Sequence, residues 1–180
     1  MTTKHKAPDG QLTLPVGARD HIAGSNQAPI TLVEYGDYQC PYCGQAYPIV
    51  KAVRAKLGKR LRFVFRNFPL VNAHPHAEAA AESAEAASAQ GRFWEMHDML
   101  FENQRALAYD DLVVYATNVG LDVKRFASDL DKRAYLPRVR EDVASGADSG
   151  VHGTPSFFIN GVRFEGSWDE HSLLAALTER

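Results

Sequence analysis

Cys40 and Cys43 are the only cysteines in the chain, and they stand as Cys40-Pro41-Tyr42-Cys43. A strand-like run, Val33-Glu34-Tyr35, precedes them and a helix-like run follows. A lone C-x-x-C in that setting is a redox pattern. Three residues along a helix is nearly one turn, so both side chains share a face with Cβ atoms about 5 Å apart. A disulfide spans Cα separations of about 4.4–6.8 Å, so the spacing suits one. Cys40 falls at the helix N-terminus, where unpaired N–H groups and the positive end of the dipole favour an anion. Its thiolate is therefore expected to be stabilised and its pKa lowered. Cys43, one turn in, is expected to be more buried, with a higher pKa. The asymmetry assigns roles: Cys40 attacks a substrate disulfide and Cys43 resolves the mixed disulfide.

Other readings of such a pair fit less well. Core packing does not ask for a proline between two cysteines at a helix start. Half of a zinc site would need a second C-x-x-C or an H-x3–5-H, and the chain has neither. A redox-sensing or partner-binding module, switched by oxidation without turnover, is the alternative from another class; turnover with a disulfide substrate and a reductant separates the two. An iron–sulfur site shared between two chains would show as brown colour on anaerobic purification.

The elements that position the pair follow from the pattern around it. Pro29–Tyr35 is β-branched and aromatic and reads as a central strand buried on both faces. Residues 41–57 read as a helix with Cys40 as N-cap, Pro41 at the first position, Gly58 as its stop and a kink at Pro48. Leu61–Arg66 is a second strand, expected to be parallel to the first as one βαβ unit. From His74 to about Ser149 the pattern is helical. An Ala-rich helix over 77–90 is interrupted by Gly91. A helix from Phe93 to Phe101 follows, then one capped by Asp110 and ending before Gly120, one capped by Asp122, and one over 135–147. Ser156–Ile159 and Val162–Phe164 form a hairpin about Asn160-Gly161. Ser167 with Glu170 makes a capping box for a last helix with Leu173, Leu174 and Leu177 inward. Gln11–Pro15 is read as a short edge strand, and residues 1–10 as a polar lead.

The chain has 180 residues, 45% hydrophobic and 23% charged, with a net charge of −2. That is ordinary for a folded domain and speaks against a nucleic-acid partner. No apolar run approaches the ~20 residues of a membrane helix, so no membrane span is expected. The N-terminus shows charge without an apolar stretch, so no signal peptide is seen and the expected location is cytoplasmic, or extracytoplasmic if a leader precedes this Met1. The domain reading is an N-terminal extension over 1–26, a sheet domain over 27–71 and 150–180, and a helical insertion over 72–149.

Thr154-Pro155 is a second candidate site, either an ordinary strand-opening proline or a cis-proline loop facing the cysteines. His152, two residues earlier, is a candidate tuner of the Cys40 pKa. His74-Pro75-His76 reads as the lead into a helix with solvent-facing imidazoles, and His97 as a satisfied helix residue. Phe93, Trp94, Met96, Met99 and Phe101 read as the core of the insertion. No metal site is expected.

Taken together, these residues resemble the thioredoxin superfamily, in its DsbA-like branch. The resemblance rests on Glu34-Tyr35-Gly36-Asp37-Tyr38-Gln39-Cys40-Pro41-Tyr42-Cys43, on Gly153-Thr154-Pro155-Ser156-Phe157-Phe158-Ile159-Asn160-Gly161, and on the helical run between them, and it covers about residues 27–179. It implies an α/β thioredoxin-like fold with an inserted helical subdomain. The implied activity is that of a protein disulfide oxidoreductase acting as oxidase, reductase or isomerase. The implied catalytic residues are Cys40, Cys43 and Glu34, the last a buried acid exchanging a proton with Cys43, helped by a pKa raised by burial. The substrate would lie against Pro41, Tyr42, Thr154 and the cis-proline Pro155. The implied substrates are disulfide- or thiol-containing proteins or glutathione-type molecules, with a redox partner for recycling. The implied redox centre is the Cys40–Cys43 disulfide, with no cofactor. One departure matters: the best-known oxidases of this branch carry Pro-His between the cysteines, and Pro-Tyr here is similar to glutaredoxin. Tyr42 adds no positive charge beside the thiolate, so the pair is expected to be less oxidising.

Overall fold

The structure, a computed structural model, describes residues 10–179; the rest of the expected polar lead, residues 1–9, lies outside them. One sheet holds five strands: β1 (His21–Ala23), β2 (Ile30–Gly36), β3 (Leu61–Asn67), β4 (Ser156–Ile159) and β5 (Val162–Phe164), in the order β1-β3-β2-β4-β5. β2 is buried at all seven positions, as a strand with no polar alternation must be. β4 runs antiparallel to β2, with Glu34 opposite Phe157 and Tyr35 opposite Ser156. The β4–β5 turn places Asn160 at φ 50° and Gly161 at φ 83°, the left-handed pair a two-residue hairpin requires. The Asn160 side chain also accepts the Thr31 N–H at 2.8 Å, tying the hairpin back to β2.

The edge strand expected at Gln11–Pro15 is not one. It shrinks to a bridge from Gln11 to Val162, with the Leu12 N–H on the Gly161 carbonyl at 2.8 Å. The ladder cannot extend, because the Thr13 N–H is spent on the Ser149 hydroxyl at 3.0 Å and Pro15 has no N–H to give. That edge of the sheet is left to β5, and the opposite edge is β1, antiparallel to β3. It ends at Gly24 (φ +103°), where a Cβ would overlap the Leu61 carbonyl.

The described residues also form seven α-helices: α1 (Pro41–Leu57), α2 (Ala77–Ser88), α3 (Phe93–Glu102), α4 (Tyr109–Asn118), α5 (Val123–Asp131), α6 (Leu136–Asp148) and α7 (Glu170–Thr178). α1 opens on Pro41, carries Pro48 inside it and gives way at Gly58 to a single 3-10 turn. Asp122 caps α5 as expected, accepting the Arg125 N–H at 3.0 Å. Two other caps differ by a residue or two. α4 starts after Ala108, not Asp110, and Asp111 reaches back to the Ala108 N–H at 3.0 Å. α7 is capped by Asp169, which accepts the Ser172 N–H at 3.0 Å, while Ser167 donates its hydroxyl to that carboxylate. A carboxylate is the stronger acceptor and takes the cap when both residues are near.

The contacts resolve two compact units. One comprises the residues up to Tyr35, Ala46–Arg66 and those from Ala144 on; the other comprises Gly36–Gln45 and Asn67–Val143. The cysteine turn groups with the helices of the second unit. In the helical unit α2 is the hub, touching α3, α4 and α5. Ala77, Ala80, Ala81, Ala84, Ala86 and Ala87 are buried, small side chains that let neighbours approach closely, and Glu82, Ser83 and Glu85 are buried with them.

The sheet unit encloses a charge that the sequence pattern does not reveal. Arg66 is fully buried. Its guanidinium donates to both Asp20 oxygens (2.8 and 3.1 Å), to the Tyr35 hydroxyl (2.9 Å) and to the Pro15 carbonyl (3.3 Å). Burial pushes the Asp20 carboxyl up, but the Arg66 hydrogen bond and the Gly17 N–H outweigh it and hold the group below its ordinary 3.8. A carboxylate held low stabilises the fold above its unfolded pKa, and that contribution is lost as pH falls through the folded value. Asp20→Asn, which strands the buried guanidinium, is expected to cost about 3–5 kcal/mol at neutral pH. Urea unfolding of the two proteins at neutral and acid pH checks this; the gap should narrow in acid, and an equal gap at both would refute the assignment.

Candidate active site

Cys40 and Cys43 sit where α1 begins. Both are buried, Cys40 at 3% and Cys43 at 0% exposure, and both are thiols here. Between them Pro41 is exposed and Tyr42 is 61% exposed, so the turn shows its two non-cysteine residues to solvent. The first turn of α1 carries no acidic residue, so the positive end of the dipole is not opposed from within the helix. The Asp37 N–H donates to Cys43 Sγ at 3.5 Å.

Asp37 does more with its side chain, whose exposure is 0%. One carboxylate oxygen accepts the Gln39 N–H at 2.7 Å and the Cys40 N–H at 3.2 Å. The other accepts the Leu70 N–H at 2.8 Å and the His74 Nδ1–H at 2.7 Å. Four donors thus converge on one buried carboxylate, the arrangement in which hydrogen bonds to charge are strongest. Asp37 was missed in the sequence, although an Asp that bonds backbone N–H groups two and three residues on is a known turn former. His74 is not solvent-facing as expected: its side chain is 18% exposed and held by Asp37. The reason is the buried carboxylate, which needs a donor on its second oxygen. His76 is exposed, and its N–H donates to the Gln39 side chain at 2.7 Å.

The same turn has further ties within the helical unit. The Tyr38 hydroxyl and His97 Nδ1 share a hydrogen bond of 3.1 Å, and the Tyr38 ring lies 4.8 Å from Phe101 between centroids. His97 is therefore a satisfied core histidine, as expected. Phe93, Met96 and Phe101 are buried with it, while Trp94 and Met99 are half-buried. Gln104 donates to the carbonyls of Tyr38 and Cys40. Among the described residues, no three His, Cys, Asp or Glu side chains are grouped to hold a metal ion.

The other sequence candidates lie in the sheet unit. Glu34 is 2% exposed on β2, so it is not a strand-end charge reaching solvent. Its partner across the ladder is Phe157. The Thr154–Pro155 peptide bond is cis and leads into β4. Thr154 and Pro155 are half-buried, and His152 is exposed on the segment before them. The structure thus groups Cys40, Pro41, Tyr42 and Cys43 with Asp37. The β2–β4 pairing sets Glu34 and Tyr35 beside the residues that follow Pro155.

A cysteine pair at a helix N-terminus stands here in an α/β sheet fold with a helical insertion, the architecture of a thioredoxin-like protein. A family model described as Thioredoxin matches residues 18–179, and the chain belongs to that family. Among solved structures, BdbD from Bacillus subtilis is 22% identical with a TM-score of 0.84, covering 95% of this chain and 96% of that one. A thioredoxin-like oxidoreductase from Silicibacter pomeroyi is 25% identical with a TM-score of 0.79, covering 91% and 92%. The thiol-disulfide exchange protein alpha-DsbA2 from Wolbachia pipientis is 20% identical with a TM-score of 0.78, covering 90% and 87%. Curated relatives include the Na(+)/H(+) antiporter NhaA 1 of Salinispora arenicola, 49% identical over 93% of this chain and 26% of that protein. The antiporter NhaA of Herminiimonas arsenicoxydans is 46% identical over 88% and 25%. The chain therefore spans about a quarter of the length of these relatives. No described helix is long and apolar enough to cross a membrane.

Both Asp37→Ala and Asp37→Asn are expected to destabilise the protein by about 2–4 kcal/mol, since each leaves buried donors short of an acceptor. The Asn amide cannot rescue, because its N–H₂ would face a donor. Urea unfolding, with amide exchange at Gln39, Cys40 and Leu70, checks this. An Asp37→Asn midpoint equal to wild type would show that the carboxylate is dispensable.

Proposed function

We propose that this chain exchanges disulfides with thiol-containing protein substrates through Cys40 and Cys43. The observation that carries the reading is the pair itself: two buried thiols across the first turn of α1, with a backbone N–H on Cys43 Sγ. Cys40, at the helix N-terminus, loses its proton first and attacks one sulfur of a substrate disulfide. The Cys40–substrate bond forms, the substrate S–S bond breaks, and the departing thiolate takes up a proton. Cys43 then loses its proton and attacks Cys40 Sγ, and the second substrate sulfur leaves, taking up a proton as a thiol. Two electrons pass from the dithiol to the substrate, and the reverse sequence oxidises a substrate dithiol. The electrons reside on sulfur throughout, so the cycle asks for no metal or organic cofactor. Pro41 and Tyr42, exposed beside the thiols, meet the substrate; Thr154, Pro155 and His152 are the further residues that the family resemblance brings to substrate contact and thiol tuning.

Direction follows from potential. A strong oxidant of this class stands near −120 mV, reductases near or below about −200 mV. Tyr42 offers the thiolate no charge, which favours the lower value. Equilibration against glutathione buffers measures it, and a value near −120 mV would overturn this placement.

Cys40→Ser is expected to abolish turnover of a protein disulfide, and Cys43→Ser to accumulate the mixed disulfide, seen as a mass adduct on Cys40. Adducts on Cys43 in the Cys40→Ser protein would reverse the roles. Glu34→Gln, which removes the acid that the family resemblance pairs with Cys43, is expected to slow resolution about 10²-fold, the lower range for a positioned proton acceptor, while leaving the first attack unchanged in single-turnover measurements.

A further inference from the structure

The loop that follows α3 reaches the nucleophile's own backbone. Gln104 Nε2 donates to the Tyr38 and Cys40 carbonyls, each at 2.9 Å, so both hydrogens of its amide are spent on the cysteine turn. The peptide after Cys40 has no N–H, because residue 41 is proline, so its carbonyl is the one polar handle by which it can be held. The same carbonyl takes the Gly44 N–H at 3.1 Å and closes the first turn of α1. The Gln104 amide rests on Gly44: a Cβ at that position would overlap Oε1 and lie 2.7 Å from Cδ. Glycine is a poor residue inside a helix, and the seat it leaves for Gln104 accounts for its presence one turn into α1.

We propose that Gln104, seated on Gly44, is a positioning residue for Cys40. Asp37 holds the Cys40 N–H and Gln104 holds its carbonyl, so the peptide groups on both sides of its Cα are fixed. Displacement at a disulfide needs the attacking, central and leaving sulfurs in line, and a fixed Cα confines Sγ to that approach. This inference rests on the thiol–disulfide reading above.

The test compares wild type with Gln104→Ala, Gln104→Glu, Gly44→Ala and the Gly44→Ala/Gln104→Ala double variant, with urea midpoints recorded for each. kcat/KM for disulfide exchange, per folded molecule, is expected to fall roughly fivefold in Gln104→Ala, the weight of an ordinary hydrogen bond. Gly44→Ala should match it by evicting the amide, and the double variant should fall no further, since both changes remove one contact. Gln104→Glu should fall more, because a carboxylate oxygen then faces two carbonyls. Stability should behave differently: Gly44→Ala should raise the urea midpoint in the Gln104→Ala background, as a helical glycine-to-alanine change does, but not in wild type. Wild-type exchange rates in both single variants, or losses that multiply in the double, would overturn the proposal. Alkylation of Cys40 by iodoacetamide, run in a Cys43→Ser background, keeps the two ideas apart. If wild type exchanges no disulfide, the functional reading fails, and slowed alkylation in Gln104→Ala and Gly44→Ala still upholds the positioning role. Unchanged alkylation in both would then remove it.

Discussion

The turn that carries the thiols is organised by a buried negative charge. The Asp37 carboxylate gathers the N–H groups of Gln39, Cys40 and Leu70 and the ring N–H of His74. Taking a carboxylate out of water costs several kcal/mol unless donors replace the lost hydration. Here the donors are mostly backbone, so the requirement is written into chain geometry: Gln39, Cys40 and Leu70 must present their amides to one point. The start of α1 and the segment leading into α2 are therefore set together, with His74 completing the shell. Cys43 is drawn in as well, because the amide aimed at its sulfur belongs to the same aspartate.

The grouping of Gly36–Gln45 with the insertion follows from these bonds. Besides the Asp37 contacts, the turn is fastened by Tyr38 on His97, by Gln39 on the His76 N–H and by Gln104 on two carbonyls. The insertion thus acts as the frame that holds the cysteine turn. The sheet contributes differently. It buries Glu34 in β2 and leads the chain from Pro155 into β4 beside it.

Much of this was legible in the chain itself. The strands β2 to β5 and all seven helices announce themselves through β-branched runs, helical periodicity and proline or glycine punctuation, and α1 begins and ends where Pro41 and Gly58 say it should. Local signals failed where two residues competed for one job. Ser167 and Asp169 both suit a cap, and Asp110 and Asp111 both suit the start of α4; acceptor strength and backbone direction decide, and neither shows in a pattern. β1 escaped because three residues make no periodicity. Within the site, Cys40 and Cys43 were plain from composition and spacing. Asp37, His74 and Gln104 were not: the partners that bring His74 and Gln104 to the turn, and Leu70 and His74 to Asp37, lie 33 to 66 residues away along the chain. Arg66 escaped for the same reason: a charged residue at the end of a strand gives no sign that Asp20 and Tyr35 will enclose it.

The enclosure of Arg66 reaches beyond its own bonds. Side chains along a strand alternate between faces, so sliding β3 by one residue would exchange the places of Arg66 and its neighbours. Phe63, Val64 and Phe65 are buried in succession, so burial of the apolar residues alone does little to fix the alignment. The guanidinium is different: it would be carried to the opposite face, away from both Asp20 and Tyr35. Where apolar burial chooses weakly between alignments, Arg66 acts as a peg that fixes one.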